Sequence, residues 1–430
     1  MSAPPWGAGR RPLVLRNPAF GRVWAGQLLT QVASRMFQVG AVWWLVGFTG
    51  GDGHRGFGSG LFLMVSTVPA VALAPVVARI VAGRAHRTVL ACAAGAAGLV
   101  AAAAAVPARA GALPMTAVYA VGLTLAACQA VFDPCLTTSV PELVRDADIE
   151  AATGFELSTQ SVAGLGGGLL GPLVVDSGGL AGVVTGCAAA YLLAALLIVS
   201  VRFPGAAAAQ ESAHGPVPER RTLRRILARL PFIRRVLLCF AAANVFTTAV
   251  YVVMPLYTRG VLGSTGSTVA LLEAALGAGT LVGSFTGARV PGGPVAVGSV
   301  CLAGTAAALA LPGLVADRAA ALGALLVVGW CVGTIGVRFV ALFQRVVPAD
   351  DKPGFFAVMQ GLLGATFPLS SLAFGALGDH LTARTLCLVQ GAGLAPVALA
   401  LWWLCGRGNT EGTQAPAGAV PALATAGETS

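Results

Sequence analysis

Apolar stretches long enough to cross a lipid bilayer recur twelve times along the chain. A membrane-spanning helix needs roughly 20 mostly apolar residues, and only 10% of the 430 residues are charged, against about 25% in a soluble domain. The stretches begin near Phe20, Leu61, Thr88, Pro114, Ala152, Leu180, Phe232, Ser267, Val295, Ala319, Gly354 and Leu381. The sequence therefore predicts an all-α membrane protein with twelve transmembrane helices.

Basic residues are distributed unevenly among the loops. An even number of spans places both termini on one side, and most of the 27 lysines and arginines lie there. The loops of the other side hold Arg55, Arg109, Arg259, Arg318 and Arg384. Because cytoplasmic loops carry an excess of Lys and Arg, both termini are predicted to be cytoplasmic. A charged start that leads into a full-length span argues against a cleaved signal peptide. Heavy use of Arg, Ala and Gly suggests a bacterial inner (plasma) membrane protein.

Two blocks of sequence recur half a chain apart. The first block contains Arg16, Pro18, Arg22 and Val23, which recur as Arg229, Pro231, Arg235 and Val236. The second contains Val140, Pro141, Gly154, Gly168 and Gly171, which recur as Val347, Pro348, Gly361, Gly375 and Gly378. Six spans separate the copies, so the two halves have the same orientation, as in one class of secondary transporters. Such a fold binds its cargo between the halves.

This duplication divides the chain into five segments. Residues 1–19 are expected to be a cytoplasmic N-terminal segment, 20–202 a first six-helix bundle and 232–405 a second. Between them, residues 203–231 form a linker whose stretch RRTLRRILARL predicts a basic amphipathic helix on the anionic membrane surface. A nucleic-acid patch is the less favoured interpretation. Residues 406–430, rich in Ala, Gly, Thr and Pro, are expected to be a disordered cytoplasmic tail.

One helical face of the first span is polar. Its polar residues fall within about 100° of one another around the helix, and they are Gln27, Gln31, Ser34, Arg35 and Gln38. Arg35 lies roughly 18 Å along the helix from Val23, and a charge at that depth nearly always faces a bundle interior or a water-filled cavity. The stripe therefore predicts the lining of a cargo pathway. Hydrogen bonding between packed helices is the alternative.

The repeat supplies an independent test of this prediction. The two copies of the first block are separated by a constant distance along the chain. At that distance from Gln31, Ser34, Arg35 and Gln38, the seventh span carries four polar or amphipathic residues on one face, namely Asn244, Thr247, Thr248 and Tyr251. Corresponding faces of two symmetry-related helices are thus polar, which is expected if both line one central pathway.

Four further ionisable residues lie inside or near the spans. Asp133, Glu156 and Glu273 are candidates to balance Arg35 and to carry protons. Glu156 is favoured as the proton-exchanging or cargo-contacting group, although a structural ion pair or a hydrated helix-end position is an equal alternative. Asp133 precedes Pro134 near the cytoplasmic end of span four, where a gate role is the better fit. Arg338 either lines the pathway or reaches the inner surface by snorkelling.

Span five is crowded with small residues. Its Gly164, Gly167, Gly168, Gly171 and Pro172 permit close helix approach and a bend, and span eleven carries the comparable Gly375 and Gly378. The stretch GGGLLG also matches a dinucleotide-binding pattern, but no strand precedes it, so that interpretation is rejected. These residues predict two matching helix contacts that slide or rock.

Three stretches together resemble the major facilitator superfamily, and within it the bacterial branch of macrolide-efflux and enterobactin exporters. They are NPAFGRVWAGQLLTQVASRMFQVGAVWWL, FDPCLTTSVPELVRDADIEAATGFE and QRVVPADDKPGFFAVMQGL. The Gly167-x-x-x-Gly171-Pro172 sequence is similar to the core of the span-five motif associated with antiporters. The resemblance implies the fold of that superfamily, alternating access, and cargo export coupled to proton entry.

The sequence departs from the family pattern at three places. The loop between spans two and three keeps its basic residues but has Ala82 where the family usually has an acid. The first span has Ser34 where many members of the branch have an acid. The glycine pair that usually follows the span-five motif is replaced by Val175-Asp176. The usual gating ion pair and the first-span proton relay therefore cannot be carried over.

The favoured interpretation is a secondary transporter that exports a small amphipathic organic molecule of the drug, natural-product or siderophore type, by alternating access and in exchange for protons. Cargo with an anionic or carbonyl group would suit its arginines. An uptake or facilitated-diffusion carrier and a transport-deficient membrane sensor are the alternatives. The four histidines lie in or beside loops, and no phosphate-binding loop or metal spacing is found, so an enzyme, a cofactor and a metal site are not expected. The protein is expected to be a monomer among membrane lipids, with no nucleic-acid partner.

Overall fold

The computed structural model describes residues 13–47, 55–145, 148–203, 231–347 and 352–411. Within these residues every regular element is a helix. The expected basic linker helix lies outside the described residues, as do residues 1–12 and the chain beyond Glu411.

Helices account for all twelve spans. A short helix, Leu13–Arg16, precedes span one, Pro18–Gly47. The others in the first half are Arg55–Ala72 with Ala74–Gly83 (span two), His86–Arg109 (three), Met115–Leu143 (four) and Ile149–Val199 (five and six). Those in the second half are Pro231–Thr248 with Val250–Gly260 (seven), Gly266–Thr286 (eight), Pro294–Leu314 (nine), Arg318–Val346 (ten), Lys352–His380 (eleven) and Ala383–Glu411 (twelve).

Spans five and six run together as one long helical segment. Nine helices of the described chain are long and apolar enough to cross a membrane, and one of these, Gly154–Val199, has 46 residues. At 1.5 Å per residue that is about twice the roughly 30 Å thickness of a bilayer core. Gly179, with φ 62°, interrupts its helical geometry, and a positive φ of this kind suits glycine. Span one, which carries the polar stripe, and span two, which is divided at Leu73, complete the twelve.

The helix bounds differ from two of the expected ones. Span two begins at Arg55 rather than near Leu61, because the small residues that precede Leu61 are helical and pack closely on span eleven. A Cβ at Gly60 would clash with the Ser371 carbonyl oxygen. Span twelve continues to Glu411, and the rest of the tail expected over residues 406–430 lies outside the described residues.

Each half has its own apolar core. One cluster of buried residues in the second half extends from Ile233 to Leu401, and another in the first half extends from Leu13 to Val201. A third cluster is built on spans one to six but includes Val252 of span seven. The fold is therefore a pair of six-helix bundles whose packing is continuous at this point.

The two halves meet along matching pairs of spans. Span two packs against span eleven, and span five against span eight; the six-plus-six repeat exchanges these two pairs. We call the face of the bundle at which span one begins the near face and the face at which it ends the far face. The contacts at Gly56, Asp176, Arg259 and Asp379, described below, join the halves at the far face.

Candidate functional site

An ion pair joins the two halves inside the bundle. A guanidinium nitrogen of Arg35, in span one, lies 3.5 Å from a carboxylate oxygen of Glu273, in span eight. Only 23% of the Arg35 side chain and 16% of that of Glu273 are exposed. A lone charge at membrane depth costs a few kcal/mol or more, so each group offsets part of the cost of burying the other. Any rotation of one half against the other changes this pair.

Two more side chains surround Arg35. Its guanidinium donates a hydrogen bond to Gln38 Oε1 at 2.7 Å, and it lies 4.7 Å from the centre of the Tyr251 ring, within the range of a cation–π interaction. Gln38 belongs to the first half and Tyr251 to the second. We call Arg35, Gln38, Tyr251 and Glu273 the Arg35 cluster. An arginine has five N–H donors, more than the oxygens of Gln38 and Glu273 occupy. The Arg35 guanidinium can therefore donate to a further acceptor.

The Arg35 cluster separates an open cavity from a closed one. On its near side is a cavity of about 230 Å³ between spans five and eight, whose polar lining includes Gln160, Ser161, Thr280 and Ser284. On its far side the space shrinks to about 10 Å³, between Val39, Val42, Leu63 and Pro255. The cluster therefore forms one end of a pocket that extends from it toward the near face, between spans five and eight.

A second polar network lies wholly within the first half. Gln31 and Gln129 both donate hydrogen bonds to the same oxygen of Asp133, at 3.4 and 2.7 Å. The Thr137 hydroxyl, one turn beyond Asp133, lies within hydrogen-bond distance of the Asp133 backbone carbonyl oxygen, at 3.2 Å, and of the Glu156 carboxylate. The network thus joins two of the predicted proton carriers, Asp133 and Glu156, to the polar stripe. It does not include Arg35, whose carboxylate partner is Glu273.

The remaining predicted pathway residues serve varied roles. Gln27 is buried, with 3% of its surface exposed, and Ser34 is half-buried. Asn244 donates hydrogen bonds to the Leu363 carbonyl and to Thr366, which ties span seven to span eleven. Thr247 and Thr248 bond to backbone carbonyls of their own helix. The structure thus brings Arg35, Gln38 and Tyr251 together and leaves these other residues outside the Arg35 cluster.

Arg338 lies away from the Arg35 cluster. Its side chain donates hydrogen bonds to the carbonyl oxygens of Gly287, at 2.8 Å, and Gly292, at 3.0 Å. Both belong to the connection between spans eight and nine, at the near face. Of the two interpretations open for this arginine, the geometry fits the one that reaches the membrane surface.

The glycines of span five divide by what they contact. A Cβ at Gly167 would lie 2.6 Å from Arg35 Cβ, and one at Gly171 would lie 2.7 Å from the Met36 carbonyl oxygen. Both glycines therefore let span five pack directly on span one. A Cβ at Gly168 would be 3.4 Å from a Glu273 oxygen, whereas Gly164 faces open space. Close packing of span five thus positions the backbone that carries Arg35.

Polar contacts also tie together the near-face loops of the first half. His86 Nδ1 lies 2.8 Å from Glu142, which links the start of span three to the end of span four. Asp148 accepts hydrogen bonds from Arg145 at 2.9 Å and Arg16 at 3.0 Å. These bonds, first from Arg145 and then from Arg16, hold the pKa of Asp148 below its ordinary value. All of these residues belong to the first half.

Several site residues were missed at the level of sequence. Gln129 lies one turn before Asp133, and Thr280 and Ser284 lie one turn apart along the cavity. Glu273, Gly277, Thr280 and Ser284 are spaced three or four residues apart, so they lie on one face of span eight. That periodicity was a usable signal, because it repeats the polar stripe of span one.

The apolar helices of the described chain, arranged in two like-oriented halves, define a multi-pass membrane protein. The family model of the Major Facilitator Superfamily matches residues 23–368. The chain belongs to this superfamily. None of the curated proteins matches the sequence.

Solved transporter structures share the fold over nearly the whole chain. A bacterial homolog of the human lysosomal transporter Spinster, in an inward-facing and occupied conformation, superposes with a TM-score of 0.70 at 12% identity, covering 93% of this chain and 98% of that one. A bacterial homologue of the iron transporter ferroportin, inward-facing, gives 0.68 at 14% identity, covering 92% and 99%. The nucleoside transporter NupG gives 0.68 at 12% identity, covering 90% and 99%. At these identities the likeness is one of fold.

Proposed function

We propose that the protein exports a small amphipathic organic molecule, of the drug, natural-product or siderophore type, from the cytoplasm of a bacterial cell in exchange for protons. In this proposal the termini and the near face are cytoplasmic, as the excess of basic residues favours. The observation that carries the proposal is the Arg35–Glu273 pair, which bridges the two halves at the end of a cavity that extends toward the near face.

The chemistry of the Arg35 cluster suits a cargo with both polar and apolar parts. Arg35 offers N–H donors to an anionic or carbonyl group of the cargo. The Tyr251 ring offers an aromatic surface, and Glu273 can accept a hydrogen bond from a hydroxyl or amine. The nearby Leu165, Leu276 and Leu281 line the same cavity and supply apolar contact for the rest of the molecule.

Proton coupling follows if cargo and proton compete for Glu273. From the near face, cargo binds while Glu273 is ionised and can accept its hydrogen bond. When the halves rock and open the far face, a proton that binds Glu273 removes that acceptor and weakens the hold on the cargo. Cargo leaves and the proton enters, so the two move in opposite directions. Glu156 and Asp133 are the further candidates for proton transfer, through the network around Gln31.

The same pair also admits the opposite coupling. An anionic cargo that displaced Glu273 from Arg35 would leave a buried carboxylate unpaired, and the cost of that charge favours a proton on it. Cargo and proton would then travel together, as in an uptake carrier. The direction of proton movement distinguishes the two functions.

The test uses purified protein in proteoliposomes of known orientation, loaded with a pH-sensitive dye. Carboxyfluorescein, neutral Nile red and cationic rhodamine 6G serve as amphiphilic probes of different charge. If the protein exports cargo in exchange for protons, probe that leaves through the far face should drive protons in the opposite direction, from the far face to the near face. Glu273→Gln should abolish this proton movement. Protons that accompany the probe indicate uptake instead. Probe flux that never moves protons indicates facilitated diffusion, and the absence of any flux favours a sensor.

A further inference from the structure

Two carboxylates reach across the boundary between the halves at the far face. Asp176, near the far end of span five, accepts a hydrogen bond from the backbone N–H of Gly266 at 2.5 Å. Gly266 is the first residue of span eight, in the other half. The second oxygen of Asp176 accepts from the Trp43 indole N–H at 2.8 Å. Asp176 stands in the motif position at which the family resemblance predicts a glycine.

The second carboxylate repeats this arrangement in reverse. Asp379, near the far end of span eleven, accepts hydrogen bonds from the backbone N–H groups of Gly56, at 2.7 Å, and Phe57, at 3.2 Å. Both donors lie in the first turn of span two. Here the acid belongs to the second half and the helix start to the first.

The two contacts join pairs of spans that the internal repeat makes equivalent, although the contacting residues themselves are shifted by about one helical turn from equivalent positions. Spans five and eleven are equivalent positions of the two halves, and so are spans two and eight. Each half therefore contributes one acid and one helix start, and each acid binds the helix start of the other half. The first N–H groups of a helix have no acceptor within that helix, and the positive end of the helix dipole adds to the attraction for a carboxylate.

The backbones meet so closely that the contacts must break when the far face opens. A Cβ at Gly266 would lie 2.6 Å from the Pro172 carbonyl oxygen, and one at Gly56 would lie 2.5 Å from that of Gly375. The Arg259 guanidinium, from the second half, also lies 4.2 Å from the centre of the Trp43 ring. Separating the halves here exposes both helix starts and both carboxylates at once.

We propose that Asp176 and Asp379 are a matched pair of gate residues that hold the far face closed and set the balance between the near-open and far-open forms. The proposal requires only that the protein alternates between the near-open and far-open forms. It does not depend on the identity of the cargo or on the role of Arg35. Removing either carboxylate shifts the equilibrium toward the far-open form and thereby loosens the other contact as well.

Hydrogen–deuterium exchange of the full-length protein in lipid nanodiscs, without cargo, tests this coupling. The N–H groups of Gly56, Phe57 and Gly266 report the two contacts, because no intrahelical acceptor protects them once the carboxylate leaves. Asp176→Asn is expected to speed exchange at Gly56 and Phe57, in the contact that it does not touch, by about fivefold. Asp379→Asn is expected to do the same at Gly266.

Asp317 supplies the matched control. It accepts a hydrogen bond from the Ala320 N–H at 2.8 Å and caps span ten at the same face, but both residues belong to the second half. Asp317→Asn should speed exchange at the start of span ten and leave Gly56, Phe57 and Gly266 unchanged.

The result that overturns the proposal is exchange that rises only at the amide each substituted acid contacts directly. If an asparagine variant does not fold, Asp176→Glu and Asp379→Glu keep the charge and displace the carboxylate by one methylene. They should give the same reciprocal effect at smaller size, and a purely local effect in them overturns the proposal equally. Because no cargo or proton gradient is used, failure here is independent of the proposed export function.

Discussion

The guanidinium of Arg35 and the carboxylate of Glu273 face each other across the boundary between the two halves, 3.5 Å apart. They lie between a cavity of about 230 Å³ on the near side and one of about 10 Å³ on the far side. The space beside the pair is thus larger on the near side, where a molecule of cargo size could reach it.

Neutralising one member of the pair should destabilise the protein more than neutralising both. Arg35→Gln or Glu273→Gln alone leaves a charge without its partner and should lower the free energy of unfolding by about 2 kcal/mol, less than for a fully buried pair. The double variant should recover part of that loss. Thermal unfolding in detergent, followed by tryptophan fluorescence, measures all three. If the loss of unfolding free energy in the double variant equals the sum of the losses in the two single variants, the two groups do not interact.

The aromatic ring of Tyr251, rather than its hydroxyl, is expected to matter to Arg35. Tyr251→Phe retains a ring under the guanidinium, whereas Tyr251→Leu removes it and with it about 1 kcal/mol of cation–π interaction. The half-saturating concentration of carboxyfluorescein in a flux assay should rise about fivefold in the leucine variant and change little in the phenylalanine variant. A similar rise in both variants would assign the effect to the hydroxyl.

Gly167 should be far less tolerant of a methyl group than its neighbour Gly166. At Gly167 a Cβ would lie 2.6 Å from Arg35 Cβ, while at Gly166 nothing lies within 4 Å. Gly167→Ala should force spans one and five apart and cost about 1–3 kcal/mol. Gly166→Ala should be neutral or stabilising by up to about 1 kcal/mol, because alanine favours the helix. Unfolding curves of the two variants compare them directly, and equal stability would contradict the close packing at Gly167.

The near-face contact of Asp148 with Arg145 and Arg16 should weaken in acid. Because these bonds lower the pKa of Asp148 in the folded protein, their stabilising effect is present above the ordinary pKa of an aspartate and is lost as pH falls through the lowered value. Hydrogen exchange at the Asn17 N–H, which donates to the Leu13 carbonyl oxygen at 2.9 Å and so reports the Leu13–Arg16 turn, should therefore rise with acidity beyond its intrinsic pH dependence. Asp148→Asn should show the raised exchange at neutral pH, and no difference between the variant and the wild type would refute the contact.

The sequence was sufficient for the class of fold but not for the pairing of the charges. Twelve apolar stretches and a half-chain repeat predicted the two six-helix bundles, because hydrophobic length and repeat spacing are local properties of the chain. Arg35 and Glu273 were both recognised as charges inside spans. Glu273 was one of three acids considered as the partner of Arg35, and the sequence could not choose among them, because the choice depends on how one half is rotated against the other.

Two further outcomes show the same limit. The small residues before Leu61 resembled a break between spans, yet they are helical because Gly56 and Gly60 fit against span eleven. Arg338 and Arg35 had the same sequence character, an arginine within an apolar span. Arg338 bonds to the loop carbonyls of Gly287 and Gly292, and only tertiary structure distinguishes the two arginines.

These two arginines provide the most direct test of the central claim, that the Arg35 cluster is the transport site. Wild type, Arg35→Ala and the control Arg338→Ala would be reconstituted in proteoliposomes with one pH gradient, and the flux of carboxyfluorescein, Nile red and rhodamine 6G measured for each. The cluster predicts that Arg35→Ala abolishes the flux of every probe that the wild type carries, while Arg338→Ala retains most of it. Undiminished flux in Arg35→Ala would contradict that claim and make the ion pair a packing element.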